Sequence, residues 1–210
     1  MKIGIGVITM GVRTINRKLF ENSEHGVFIY TDKERLGPSH ARNKVLEHFD
    51  GYDHIFIFDD DCFPTKLGWE NYFITQASEH NIHYMAIPEV FGGQFVSSDK
   101  EMQYWFSALG CFVYQDKVAM DAIGGYNTAY NRYGYEDAAR SRRALQAGLT
   151  GHNNAWGFPV RGLSYIHSED VFGENPVPNI ETPEKLKYIE SNHKVYAEEI
   201  SSGVLFYPYK

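Results

Sequence analysis

Three consecutive carboxylates, Asp59-Asp60-Asp61, stand directly behind an apolar run, His54-Ile55-Phe56-Ile57-Phe58. Adjacent negative charges repel one another, and a divalent cation offsets that repulsion. Mg²⁺ and Mn²⁺ choose oxygen ligands, commonly one or two carboxylates completed by substrate phosphates. The run therefore reads first as a metal–diphosphate site. Its competing reading is a solvated acidic turn, although Gly or Asn usually accompanies such turns. A second acidic pair, Glu136-Asp137, opens a helical stretch, where a cap complementing the helix dipole is the plain alternative to chemistry.

The elements that must position these groups follow from periodicity. An unbroken β-branched and aromatic run reads as a strand buried on both faces, and ligands of open α/β sheets bind outside the carboxyl ends of such strands. Residues 3–9, 27–31 and 83–88 read as further strands. Residues 13–21 suit a short helix. A second helix starts at Pro38, with Ala41, Val45 and Phe49 facing the sheet, and a third carries Trp69, Tyr72, Phe73, Gln76, Ala77 and His80. Strand–helix alternation predicts an α/β fold with an open, mainly parallel twisted sheet flanked by helices. Gly4 and Gly6 lie inside a strand and no glycine opens the next helix, which excludes a Rossmann dinucleotide fingerprint.

After Gly92-Gly93 the chain changes character. Residues 102–114 read as one or two strands broken near Gly110, 118–123 as a short helix, and 126–135 as an aromatic loop. The helix from Glu136 to about Leu149 has a thin apolar face, and Arg140, Arg142 and Arg143 read as its solvated side. Residues 162–167 suit a last strand. A linker over 173–183 then leads to a helix with Leu186, Ile189, His193, Tyr196 and Ile200 on one face. The tail, 204–209, is expected to pack back on the core.

The 210 residues suit one domain with an appendage. A net charge of −7 offers no general attraction to nucleic acid or an anionic membrane, so a polyanion would need a local track such as Arg140, Arg142 and Arg143. Cys62 and Cys111 are too few for a disulfide framework and point to a reducing compartment. No apolar window approaches the roughly 18 residues of a membrane span. Nor does the start of the chain carry a signal-peptide pattern. The expected location is the cytoplasm.

Four motifs in order carry a resemblance: Gly37-Pro38-Ser39-His40-Ala41-Arg42-Asn43, then Ile55 through Asp61, then Ile123-Gly124-Gly125-Tyr126, then Tyr133-Gly134-Tyr135-Glu136-Asp137. Together they resemble a GT-A glycosyltransferase of the family-two type over roughly residues 1–168. The likeness divides that domain into a nucleotide-sugar half, 1–100, and an acceptor half, 101–168; residues 169–210 form a linker, C-terminal helix and tail outside it. It implies transfer of a sugar from a nucleoside-diphosphate sugar, a UDP-sugar by expectation, to an acceptor hydroxyl with inversion and with Mn²⁺ or Mg²⁺ as cofactor. Thr9, Thr31 and Asp32 would meet the base and ribose, and Arg42 the base or phosphates. Asp59 and Asp61 would hold the metal, with Asp59 or Asp60 also meeting ribose or a bound water. His167 is similar to the histidine that completes such a site, with a partly buried core histidine as the equal alternative. Asp137 would be the general base, and Glu136 would bind the acceptor or orient the base. Trp105 and Tyr126 are candidates to stack on an acceptor sugar, Trp105 equally a core residue. Tyr133 and Tyr135 depart from the family pattern and leave the acceptor open between a saccharide and a hydroxymethylated base in phage DNA. Two other classes compete: a haloacid-dehalogenase-type hydrolase, which also places Asp-x-Asp after a buried strand, and a non-catalytic nucleotide-sugar binder.

Overall fold

The computed structural model describes residues 1–16, 20, 25–89, 93–174 and 182–210. Its centre is a five-stranded sheet in the order β2-β1-β3-β8-β5. These strands are β1 (Ile3–Thr9), β2 (Gly26–Thr31), β3 (His54–Asp59), β5 (Tyr84–Pro88) and β8 (Ala108–Asp116). β1 pairs in parallel with β2 and β3, whereas β8 runs antiparallel between β3 and β5. The sheet is thus mainly parallel, as alternation predicts, with one reversed strand that alternation does not reveal.

Side chains alternate across the sheet. Phe56 and Phe58 of β3 pack with Trp69, Phe73 and Ala77 of helix α2 (Trp69–Glu79). Ile55 and Ile57 face the other side, where Ala41, Val45 and Leu46 of α1 (Pro38–His48) meet Ala119 and Ile123 of α3 (Lys117–Ile123). The glycines of β1 allow α1 to approach closely: a methyl group at Gly4 would strike the Phe49 ring and one at Gly6 the Val45 side chain. That packing role is the physical content of the Gly-x-Gly spacing.

Around the sheet lie a short pairing of β4 (Cys62–Pro64) with β10 (Ile166–Ser168), and a three-stranded sheet of β6 (Phe95–Ser98), β7 (Met102–Trp105) and β9 (Trp156–Pro159). The break in 102–114 falls at Phe106-Ser107, and β8 runs straight through Gly110. Residues 162–167 form a 3₁₀ turn, Gly162–Ser164, before β10 rather than one strand. Residues 13–16 are not helical. The rest of the helix expected there (17–19 and 21), Gly92 and most of the 173–183 linker fall outside the described residues.

Helix α4 (Glu136–Gln146) forms where predicted, but its arginines correct the reading of a solvated face. Only Arg142 is exposed; Arg140 and Arg143 are buried. Arg140 donates to the Gln115 side chain and the Gly124 carbonyl and lies over the Tyr84 and Tyr126 rings. Arg143 donates to the carbonyls of Ile123, Gly125 and Leu205 and pairs with Glu199 at 3.0 Å. α5 (Glu169–Phe172) is one turn, and the last helix, α6 (Thr182–Ser202), docks through buried polar groups beside its apolar stripe, from which His193 and Tyr196 pack on the Tyr135 ring. Leu186 is 61% exposed, while Asn192 and Glu199 are buried. Asn192 accepts from the Asn131 amide and donates to the carbonyls of Tyr133 and Gly134. Glu199 takes Arg143, Tyr130 and Asn127. In the tail the Gly125 amide donates to the Tyr207 carbonyl at 2.7 Å, while Val204, Leu205 and Phe206 stay exposed.

Candidate active site

A cleft of about 530 Å³ opens at the carboxyl ends of β1 and β3. The acidic run forms one wall, because the buried length of β3 ends at Asp59 and delivers the next carboxylates into the opening. The N-terminus of α4 forms the facing wall. Gly134 (φ 93°) and Tyr135 (φ 73°) both adopt left-handed backbone there, turning the chain so that Glu136 and Asp137 enter the cleft. Tyr135 at the N-cap makes no side-chain cap bond, and both acids stand in the first turn, where they also complement the helix dipole.

Arg42 joins the two walls. It is only 1% exposed. Its guanidinium lies 2.8 Å from the Asp59 carboxylate, 2.8 Å from that of Asp137 and 3.5 Å from that of Glu136, and donates to the Gly110 carbonyl at 3.0 Å. It is therefore a strut under the cleft rather than a free contact for a base or phosphate. Asn43 beside it exchanges two hydrogen bonds with the Tyr126 backbone and binds α1 to the Gly124-Gly125-Tyr126 segment. Gly110 is required at the centre: a methyl group there would collide with the Asp137 carboxylate.

Burial pushes the Asp59 carboxyl up to about 7, with Arg42 opposing the rise and Asp137 adding to it. Burial, reinforced by Asp137, also pushes Glu136 well up from the ordinary carboxylate range. Burial raises Asp60 too, opposed by the Thr9 hydroxyl, which donates to it at 2.5 Å.

The remaining residues divide clearly. Thr9, Asp32, Asp60 and Asp61 line the cleft. Asp32 uses both oxygens to accept from the amides of Leu36 and Gly37, fixing the turn into α1. Thr31 is not part of the lining, and His167 is turned away from it. His167 and Ser168 are neighbours on β10 and project to opposite sides; Ser168 reaches Asp61, whereas the His167 ring stacks on Phe172 and meets Glu174 at 2.8 Å. The metal set Asp59, Asp61 and His167 is not assembled. Trp105 packs its ring on Phe95 in the outer sheet, and Tyr126 lies 1% exposed beneath Arg42 and Arg140. Neither borders the cleft, which corrects their assignment as sugar-stacking residues. Lining residues that periodicity and motif did not single out include Arg13, Asp170, Arg35 and Lys185, with Tyr133 exposed beside Lys185. They come from loops and from the C-terminal extension, where no local pattern marks them.

The chemistry of the acidic run still suits a hard divalent cation. Carboxylate oxygens of Asp60, Asp61 and Asp170 lie 3.8, 3.5 and 2.7 Å from the Arg13 guanidinium, so oxygen donors already surround a positive charge. Among the described residues they do not gather three ligand atoms within 4.8 Å of one another, and Arg13 stands between them. The group that does so, Glu79, His80 and Glu101, lies outside the cleft lining.

Comparison with known proteins matches residues 9–137, more than half of the chain, to the model of glycosyl transferase family 2. No curated protein matches. Solved structures that resemble it include A197 from STIV, at 9% identity over 58% of this chain and 68% of that one with a TM-score of 0.37. Another is a glycosyltransferase involved in the glycosylation of the major capsid of PBCV-1, at 16% identity over 58% of this chain and 63% of that one with a TM-score of 0.39. Four motifs in register, the cleft between the acidic run and α4, and a family match spanning both walls lead to one assignment: the chain is a GT-A-type member of glycosyl transferase family 2.

Proposed function

We propose that this glycosyltransferase moves a sugar from a nucleoside-diphosphate sugar, a UDP-sugar, to a saccharide hydroxyl with inversion at the anomeric carbon. The observation that carries the reading is the facing of Asp137 and the acidic run across one cleft, both tied to Arg42. Asp137 accepts the acceptor proton as the hydroxyl oxygen attacks the anomeric carbon, and the bond to the diphosphate oxygen breaks on the opposite face. Arg42, 2.8 Å away, fixes the direction of Asp137. Glu136, raised by burial, positions the acceptor. Thr9 and Asp32 border the place for the ribose and base. Asp60 and Asp61, with Asp170, would hold Mn²⁺ or Mg²⁺, which when bound supplies charge compensation for the departing diphosphate.

Residues 1–168 form the catalytic domain in this reading, split near residue 100 into donor and acceptor halves. Residues 169–210 complete its cleft through Asp170 and Lys185. Burial of Arg140 and Arg143 removes the basic track that modified DNA would need and favours the saccharide acceptor. The free thiols Cys62 and Cys111 agree with a cytoplasmic site of action; among the described residues no helix is long and apolar enough to cross a membrane. Titration of UDP and UDP-sugars with Mn²⁺, followed by turnover of the bound donor, tests the proposal. Asp137→Asn should keep donor affinity and lose roughly 10²–10⁴-fold in turnover. Unchanged turnover would remove Asp137 as base, and absent turnover in the unmodified enzyme with every donor would leave a binding protein.

A further inference from the structure

Arg13 occupies the place that the acidic run offers to a cation. Its side chain, 5% exposed, directs one terminal nitrogen to Asp61 and Asp60 and the other to Asp170. The second oxygen of Asp60 is engaged by the Thr9 hydroxyl, and that of Asp61 by the Ser168 hydroxyl at 2.6 Å and the Asp170 amide at 3.2 Å. Thus the oxygens of Asp60 and Asp61 that are left for a cation are those facing Arg13.

We propose that Arg13 is an exchangeable counter-ion: it holds the acidic run in the metal-free enzyme and competes with the divalent metal for Asp60 and Asp61. The inference rests on the reading above that these carboxylates take a metal. Its physical basis is the looseness of the contacts to Asp60 and Asp61. The distances to Asp61 and Asp60, 3.5 and 3.8 Å, are ion pairs beyond good hydrogen-bond length. A short contact, 2.7 Å, goes to Asp170, whose side chain is 49% exposed and whose pairing is correspondingly weakened by water. A doubly charged ion gains more from two partly buried carboxylates than a guanidinium at those distances. Arg13 also sits on a segment, 11–16, that is neither helix nor strand, so its withdrawal breaks no ladder of backbone bonds. Bridging to Asp170 makes the exchange loosen the contact between the β1 loop and the C-terminal extension.

The test is Mn²⁺ affinity of the full, nucleotide-free chain, read from the free-Mn²⁺ electron paramagnetic resonance signal. Arg13→Gln should bind Mn²⁺ roughly tenfold more tightly than the unmodified protein, a coupling of ordinary size for two ligands of one site. Asp61→Asn should abolish the tight site in both backgrounds. Arg13→Lys, which keeps the charge without the fork, should fall between and carries the same comparison if the glutamine variant does not fold. Equal or weaker Mn²⁺ binding by Arg13→Gln overturns the exchange while leaving the metal assignment intact. If neither protein binds Mn²⁺, with or without UDP, the metal assignment itself fails and the exchange with it.

Discussion

Replacing Arg42 by Met tests the strut that joins the two walls of the cleft. The substitution keeps the aliphatic stem and removes the charge facing Asp59 and Asp137 at 2.8 Å each and Glu136 at 3.5 Å. Breaking a buried ion pair by deleting one partner typically costs about 3–5 kcal/mol, because the remaining charge is left uncompensated. The upper part of that range applies here, since three carboxylates lose one cation and the Gly110 carbonyl loses a donor. In a chain of this size each kcal/mol moves the midpoint by about 2–4 °C, so the melting temperature should fall by about 8–20 °C at neutral pH. The loss must also depend on pH. Asp59 and Glu136 are raised above their unfolded values, so their favourable contribution is complete below about pH 4 and fades as pH climbs through the folded values, about 7 for Asp59. Without Arg42 those values rise further, and the gap between variant and parent should widen from pH 5 to pH 8. Urea unfolding of both proteins at pH 5, 6, 7 and 8 measures the gap directly. A variant as stable as its parent at pH 8, or a gap that does not change with pH, would refute the role given to Arg42.

Three further outcomes follow from the same geometry. Gly110→Ala inserts a methyl group into the Asp137 carboxylate and pushes it off Arg42, so it should cost stability and lower kcat more than tenfold with KM for the donor nearly unchanged; thermal melts and steady-state kinetics check this. Glu136→Gln should flatten the decline in stability between about pH 4.5 and 8, since a raised carboxyl destabilises the fold as it ionises; thermal melts across that window show it. Arg143→Met removes the cation held by Glu199 and by the Ile123, Gly125 and Leu205 carbonyls, and should cost about 3–5 kcal/mol while increasing hydrogen exchange in the tail, which mass spectrometry resolves.

The sequence by itself determined the sheet, its flanking helices and the two acidic motifs. Strands β1, β3 and β5 are long apolar runs, and α1 and α2 repeat their apolar residues at helical spacing; such periods report burial directly because each is a property of one segment. Asp59-Asp60-Asp61 and Glu136-Asp137 were legible for the same local reason. What only the tertiary structure decided are the partnerships of charged groups. No period in the sequence distinguishes Arg142, which is solvated, from Arg140 and Arg143, which are buried beneath the aromatic rings of Tyr84, Tyr126 and Tyr207. Nor does one reveal that α6 docks through Asn192 and Glu199 while Leu186 faces water, because a polar residue becomes buried only where distant segments bring its hydrogen-bond partners. His167 followed a strand-end rule and was turned aside by the alternation of β10, one residue out of phase with Ser168. Arg13 lies 48 residues from Asp61 and 157 from Asp170, and three-dimensional packing alone brings that charge to the carboxylates it neutralises.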